Sequence, residues 1–138
     1  MTTLVGLFKI TVPIFGLIKT MWRYKVWKPS LNLKTRYPGR WAVVTGASDG
    51  IGLGFCKVLA RQGYDVCLVS RNQQKLEDAA SIVREENPNI QTKIVTCDLT
   101  SLTCYKDYEQ KLYPELDELD VAILINNAGV SQQGRISW

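Results

Sequence analysis

The chain has 138 residues, room for one domain, and 46% of them are apolar, enough for a packed core and against disorder along its whole length. It contains no histidine, which excludes imidazole zinc sites, Ser/His/Asp triads and Cys/His dyads and leaves chemistry that a cofactor would have to carry. The net charge of +4 hides an asymmetry: residues 1–40 carry eight Lys or Arg and no acid, and the remaining 98 carry nine basic and thirteen acidic residues.

A basic segment joined to a mildly acidic domain suits nucleic acid or a membrane surface. Its apolar company here favours the membrane and no nucleic acid. Leu4 to Ile18 (LVGLFKITVPIFGLI) is apolar except for Lys9 and Thr11, and extending it to Trp22 gives a helix of roughly 28 Å, barely a bilayer core. Thr2, Lys9, Gly16, Thr20 and Arg23 fall near one helical stripe, so a helix lying in the interface is as consistent as one that crosses. Trp22, Tyr24 and Trp27 then alternate with Arg23, Lys25 and Lys28, the mix found where a membrane segment meets water. No basic residue precedes the run and no small-residue cleavage site follows it, so a retained anchor over residues 1–28 is expected, with the rest of the chain on the cytosolic side. The alternative is an apolar arm packed on another part of the protein. Residues 29–39 read as a polar linker.

From residue 40 strands alternate with helices. Arg40 to Thr45 is a short β-branched run, a glycine turn follows, and Ile51, Phe55, Val58 and Leu59 then recur at helical spacing. Gly63 closes that helix, and Asp65 to Ser70 (DVCLVS) reads as a strand buried on both faces. Leu76, Ala79, Ala80 and Val83 share a helical face that ends at Asn87-Pro88-Asn89, and Ile90 to Cys97 is the third strand. A weaker helical pattern from Ser101 to Leu112 stops at Pro114, and Val121 to Ile125 (VAILI) is a fourth, wholly apolar strand. The order predicts an α/β fold, a partial Rossmann-type doubly wound parallel sheet of four strands behind an N-terminal membrane-associated helix. Cys56, Cys67, Cys97 and Cys104 match no metal-ligand spacing and are expected to be reduced core thiols; no metal is expected.

A glycine turn between strand and helix lets the backbone approach a pyrophosphate, and the first helical amides then bind its oxygens. Gly46, Gly50 and Gly52 can form such a turn, although tight packing alone would call for the same residues. A nucleotide laid across the strand ends would also meet Ser70-Arg71, Asp98 and Asn126.

Thr45-Gly46-x-x-x-Gly50-x-Gly52, then Asp98, then Asn126-Asn127-Ala128-Gly129, in this order and spacing, resemble the short-chain dehydrogenase/reductase family from about residue 40 to 130. Within it, GRWAVVTGASDGIG with LVSRNQQKL is similar to the membrane-bound very-long-chain 3-oxoacyl-CoA reductases and related 17β-hydroxysteroid dehydrogenases. The resemblance implies that Gly46, Ser48, Asp49, Gly50, Ile51 and Gly52 line the pyrophosphate and ribose, that Asp98 faces the adenine, and that Asn126, Ala128 and Gly129 contact the cofactor's ribose. The residues themselves leave open that Asp98 caps the helix near Ser101 and that Asn126-Asn127 stitch the sheet together.

An acid ending the second strand would favour NAD; here Ser70 is followed by Arg71, whose guanidinium can pair with a 2′-phosphate, so NADP is expected, with a plain solvated arginine as the alternative. In the family a Tyr, a Lys four residues after it and a Ser perform the chemistry beyond the fourth strand. A six-stranded sheet needs on the order of a hundred residues more than are present. No catalytic residue is therefore expected within residues 1–138, and the literal Tyr-x-x-x-Lys at Tyr24 to Lys28 is rejected because it precedes the glycine turn. The implied protein is an oxidoreductase of lipid metabolism at the endoplasmic reticulum, with NADP(H), membrane lipid and a lipid-like carbonyl substrate as partners, residues 40–138 being its incomplete NADP-binding domain. A non-catalytic, membrane-tethered nucleotide- or partner-binding module, or an incomplete gene model, is the alternative.

Overall fold

The computed structural model describes residues 32–129. Within them, β1 (Trp41–Thr45), β2 (Asp65–Ser70), β3 (Thr92–Thr96) and β4 (Val121–Ile125) form one sheet in the order β3-β2-β1-β4, every pairing parallel. The neighbours of β1 are thus β2 and β4, so the chain runs outward to β3 and crosses back to the other side of β1. That reversal opens a crevice at the carboxyl ends of β1 and β4.

Alternation along each strand feeds two cores. Ala42, Val44, Val66 and Leu68 face one side, where α2 (Gly50–Arg61) and α3 (Gln73–Glu86) pack with Cys56, Leu59, Ala60, Leu76, Ala79, Ala80 and Val83. Val43, Cys67, Val69 and Val95 face the other, against Leu102, Leu112, Tyr108 and Leu116 from a 3-10 turn (Leu99–Ser101), α4 (Tyr105–Lys111), α5 (Tyr113–Leu116) and their junctions. Central strands buried on both faces need the unbroken apolar runs seen at β1 and β2.

Several expectations shift. Of the apolar set on α2, Leu59 alone is buried: Ile51, Phe55 and Val58 are 74%, 42% and 48% exposed, and the sheet-facing positions are Gly52, Cys56, Leu59 and Ala60. Gly52 begins that face because the helix starts close against the turn that precedes it. The third strand is shorter than Ile90 to Cys97, since the turn over Asn87 to Asn89, with Asn87 Nδ2 bonded to Ala60 O at 2.9 Å, still holds Ile90. Pro114 does not simply stop a helix; it sits in the first turn of α5, where its missing amide costs nothing. Cys56, Cys67 and Cys97 are buried, but Cys104 is exposed, which corrects its reading as a core thiol.

The described part of the segment expected to be a linker contains α1 (Leu33–Arg36). Leu33 packs on the first core, Lys34 Nζ lies 4.4 Å from the Tyr64 ring centre and bonds Gly39 O at 3.1 Å, and the buried Tyr64 donates to Tyr37 O at 2.9 Å. Residues 32–39 are thereby docked on the domain. Among the described residues no helix is long and apolar enough to cross a membrane; the expected anchor over 1–28 and the Tyr24–Lys28 motif lie outside them.

Candidate functional site

β1 ends at Thr45, and the chain must then turn sharply under α2. Gly46 N and Ala47 N bond Val69 O at 2.8 and 3.3 Å, fastening the turn to β2. A Cβ on Gly52 would stand 2.2 Å from Gly46 O and 2.7 Å from Asn127 Nδ2, so only glycine lets α2 approach this closely. Gly50 is the opposite case: its φ is +57° and a Cβ there would meet nothing within 4 Å, a backbone bend facing open space. Close packing thus requires glycine at Gly52, whereas Gly50 bends beside open space.

The carboxyl end of β4 is tied to the same turn. Thr45 Oγ1 accepts from Asn127 N at 3.0 Å and Ala128 N at 3.1 Å, and Asn127 Nδ2 donates to Thr45 O and Gly46 O at 3.2 and 3.3 Å. Asn127 is therefore the stitch, as the structural alternative held, while Asn126 beside it faces the cleft with no such bonds. Thr45 and Asn127 were absent from the expected site residues. The signal for them was a hydroxyl closing a buried strand opposite an Asn pair at the end of another.

These ends surround a cleft of about 810 Å³ lined by Gly46, Ser48, Asp49, Arg71, Asp98, Asn126, Ala128 and Gly129, eight of the eleven expected residues, together with Thr45, Ser70 and Asn127. Gly50, Ile51 and Gly52 are not on its wall; they form the first turn of α2, with Ile51 exposed. The other side of the cleft is apolar, from Val43, Leu112, Leu116 and Leu124. Leu124 is 58% exposed and lies on β4, which has no second neighbour among the described residues.

Three charged residues, Asp49, Arg71 and Asp98, line the polar end, and Lys75 stands beside one of them. Asp98 accepts from the Thr100 hydroxyl at 2.7 Å and its amide at 3.0 Å, capping the 3-10 turn; those bonds, with the charge of Arg71 added, hold its carboxyl below the usual carboxylate range. Asp49 caps α2 by accepting from Gly50 N at 2.7 Å, and Lys75 Nζ lies 3.8 Å from its other oxygen. Ser48 Oγ and Ser70 Oγ are 3.0 Å apart, locking the glycine turn to the strand end that carries Arg71.

A parallel sheet reversing its strand order at a glycine turn, with polar residues from all four strand ends on one crevice, defines a nucleotide-binding α/β domain. The chain belongs to the short chain dehydrogenase family, whose model matches residues 40–137. It is 50% identical over 104 residues to a very-long-chain 3-oxoacyl-CoA reductase of Coccidioides immitis (strain RS), covering 75% of this chain and 29% of that protein. Among solved structures, a 7beta-hydroxysteroid dehydrogenase superposes with a TM-score of 0.65 at 28% identity, covering 77% of this chain and 39% of that one. L-sorbose reductase from Gluconobacter frateurii, solved with NADPH and L-sorbose, gives a TM-score of 0.56 at 30% identity over 71% of this chain and 36% of that one. The chain spans 29% to 40% of the length of the curated relatives it matches.

Proposed function

We propose that residues 40–129 hold NADP(H) in an oxidoreductase that reduces a carbonyl on a lipid-like substrate, a 3-oxoacyl-CoA or a steroid. The observation that carries this reading is the convergence of Gly46, Ser48, Asp49, Arg71, Asp98, Asn126, Ala128 and Gly129 on one cleft at the strand ends. The groups fit a dinucleotide: Gly50 bends beside open space, α2 has no acid in its first turn, and Arg71 offers a fork of donors for a 2′-phosphate. The turn and the start of α2 would take the pyrophosphate, Asp98 the adenine side, and Asn126, Ala128 and Gly129 a ribose. When bound, the nicotinamide supplies the hydride. The protein's part is to orient it and exclude water; Thr45 and Asn127 do so indirectly, by fixing the end of β4 to the turn.

Asp49 must give up its bond to Gly50 N if that amide is to meet a phosphate. The substrate class follows the 3-oxoacyl-CoA reductase and the hydroxysteroid dehydrogenase to which the chain is similar. Residues 1–28 are proposed to keep the protein at the endoplasmic reticulum membrane with this domain in the cytosol. The test is to incubate the whole protein with NADPH and either a very-long-chain 3-oxoacyl-CoA or a ketosteroid. Substrate-dependent loss of NADPH absorbance is expected with one of them. Turnover of neither, despite tight NADPH binding, would reject the substrate class.

A further inference from the structure

The strand end beside Arg71 has no acid of its own, but the fold brings one in. Asp49, from the glycine turn, stands on the same cleft wall, with its side chain 79% exposed. A carboxylate there brings to the cleft the charge that an acid ending β2 would bring, and such an acid accepts from ribose hydroxyls and disfavours a 2′-phosphate. Its charge is answered by Lys75, 3.8 Å away. Lys75 is the third residue of α3, a 14-residue helix whose first turn holds no acid, and a cation at that end opposes the helix dipole. Helix stability therefore gives no reason for lysine at this place, whereas the carboxylate beside it does.

We propose that Lys75 is a specificity-determining residue that acts through Asp49: by cancelling that charge it lets the Arg71 end of the cleft take the 2′-phosphate, and so sets the preference for NADPH over NADH. The inference rests on the reading of the cleft as a dinucleotide site. The Ser48–Ser70 bond keeps the turn bearing Asp49 and the strand end bearing Arg71 in fixed relation, so the two charges act on one ligand region. Both partners are largely in water, which limits the effect to about two- to fivefold and makes it fade with salt.

The experiment titrates the whole protein with NADPH and with NADH at low and high ionic strength, for Lys75→Met, Lys75→Arg, Asp49→Asn, Lys75→Met with Asp49→Asn, and Arg71→Ala. Lys75→Met is expected to lower the NADPH-to-NADH affinity ratio about two- to fivefold at low salt. Lys75→Arg should keep the ratio, and adding Asp49→Asn to Lys75→Met should restore it. If Arg71→Ala lowers the ratio and Lys75→Met does not, or if Asp49→Asn fails to restore it, the role of Lys75 is wrong while the dinucleotide site stands. Binding of neither nucleotide to the unaltered protein would overturn both.

Discussion

At the scale of single residues, the contrast between Gly50 and Gly52 shows how one motif carries two demands. Gly52 has a backbone oxygen where its Cβ would be, and backbone cannot swing aside as a side chain can. Gly52→Ala is expected to cost about 2 kcal/mol of stability and to weaken nucleotide binding by displacing the turn. Denaturant melts with and without NADPH check this, and an unshifted midpoint would contradict it. The cysteines separate in the same way. Burial pushes the Cys56 thiol up to about 12 and the Cys67 thiol up to about 11, and it raises that of Cys97 as well. Thiolates are the reactive form, so iodoacetamide at neutral pH should modify the exposed Cys104 in the native protein and the other three only after unfolding. Mass spectrometry of the alkylated protein decides it, and modification of native Cys56 at the rate of Cys104 would count against the buried core described here.

At the scale of elements, strands were more legible than helix faces. DVCLVS and VAILI coincide with β2 and β4 because strands of a parallel sheet announce themselves as unbroken apolar runs; β2 is buried on both faces, whereas Val121 and Leu124 of β4 are exposed. The face of α2 did not: size and hydrophobicity mark Ile51, Phe55 and Val58, yet the buried positions are Gly52, where contact with the turn leaves no room for a side chain, and Cys56, Leu59 and Ala60. Periodicity reports which residues share a side, not how near the neighbouring backbone comes. The site was legible in part for a related reason. Arg71, Asp98 and Asn126 could be placed on one edge because parallel strands bring their carboxyl ends together. The bonds of Thr45 to Asn127 and the pairing of Asp49 with Lys75 join residues 82 and 26 positions apart and depend on side-chain reach that spacing does not reveal. Residues 32–39 read as linker because they are polar, but Lys34 and Tyr37 use polar groups to dock on Tyr64.

At the scale of the molecule, β4 is an edge strand, among the described residues, whose apolar surface is still exposed. Val121 and Leu124 are 42% and 58% exposed on a strand paired on one side by β1. Such an edge offers unpaired amides and an apolar face together, which native sheets avoid. A fragment limited to residues 32–129 is therefore expected to aggregate or to unfold without a sharp transition. At roughly 25 cal/mol per Å² of apolar surface, losing cover over a few hundred Å² costs several kcal/mol, comparable with the stability of a domain. Circular dichroism through a denaturant series with light scattering tests this, and a reversible, cooperative transition in a monodisperse monomer would contradict it. The proposed function makes the cleft at the strand ends the nucleotide site, and Arg71 the residue on which the cofactor choice would turn. The most direct test is titration of the whole protein with NADPH and NADH, before and after Arg71→Asp. NADPH should bind about tenfold or more tightly than NADH, and Arg71→Asp should reverse the order. Equal binding of the two nucleotides, unchanged by Arg71→Asp, would contradict the account.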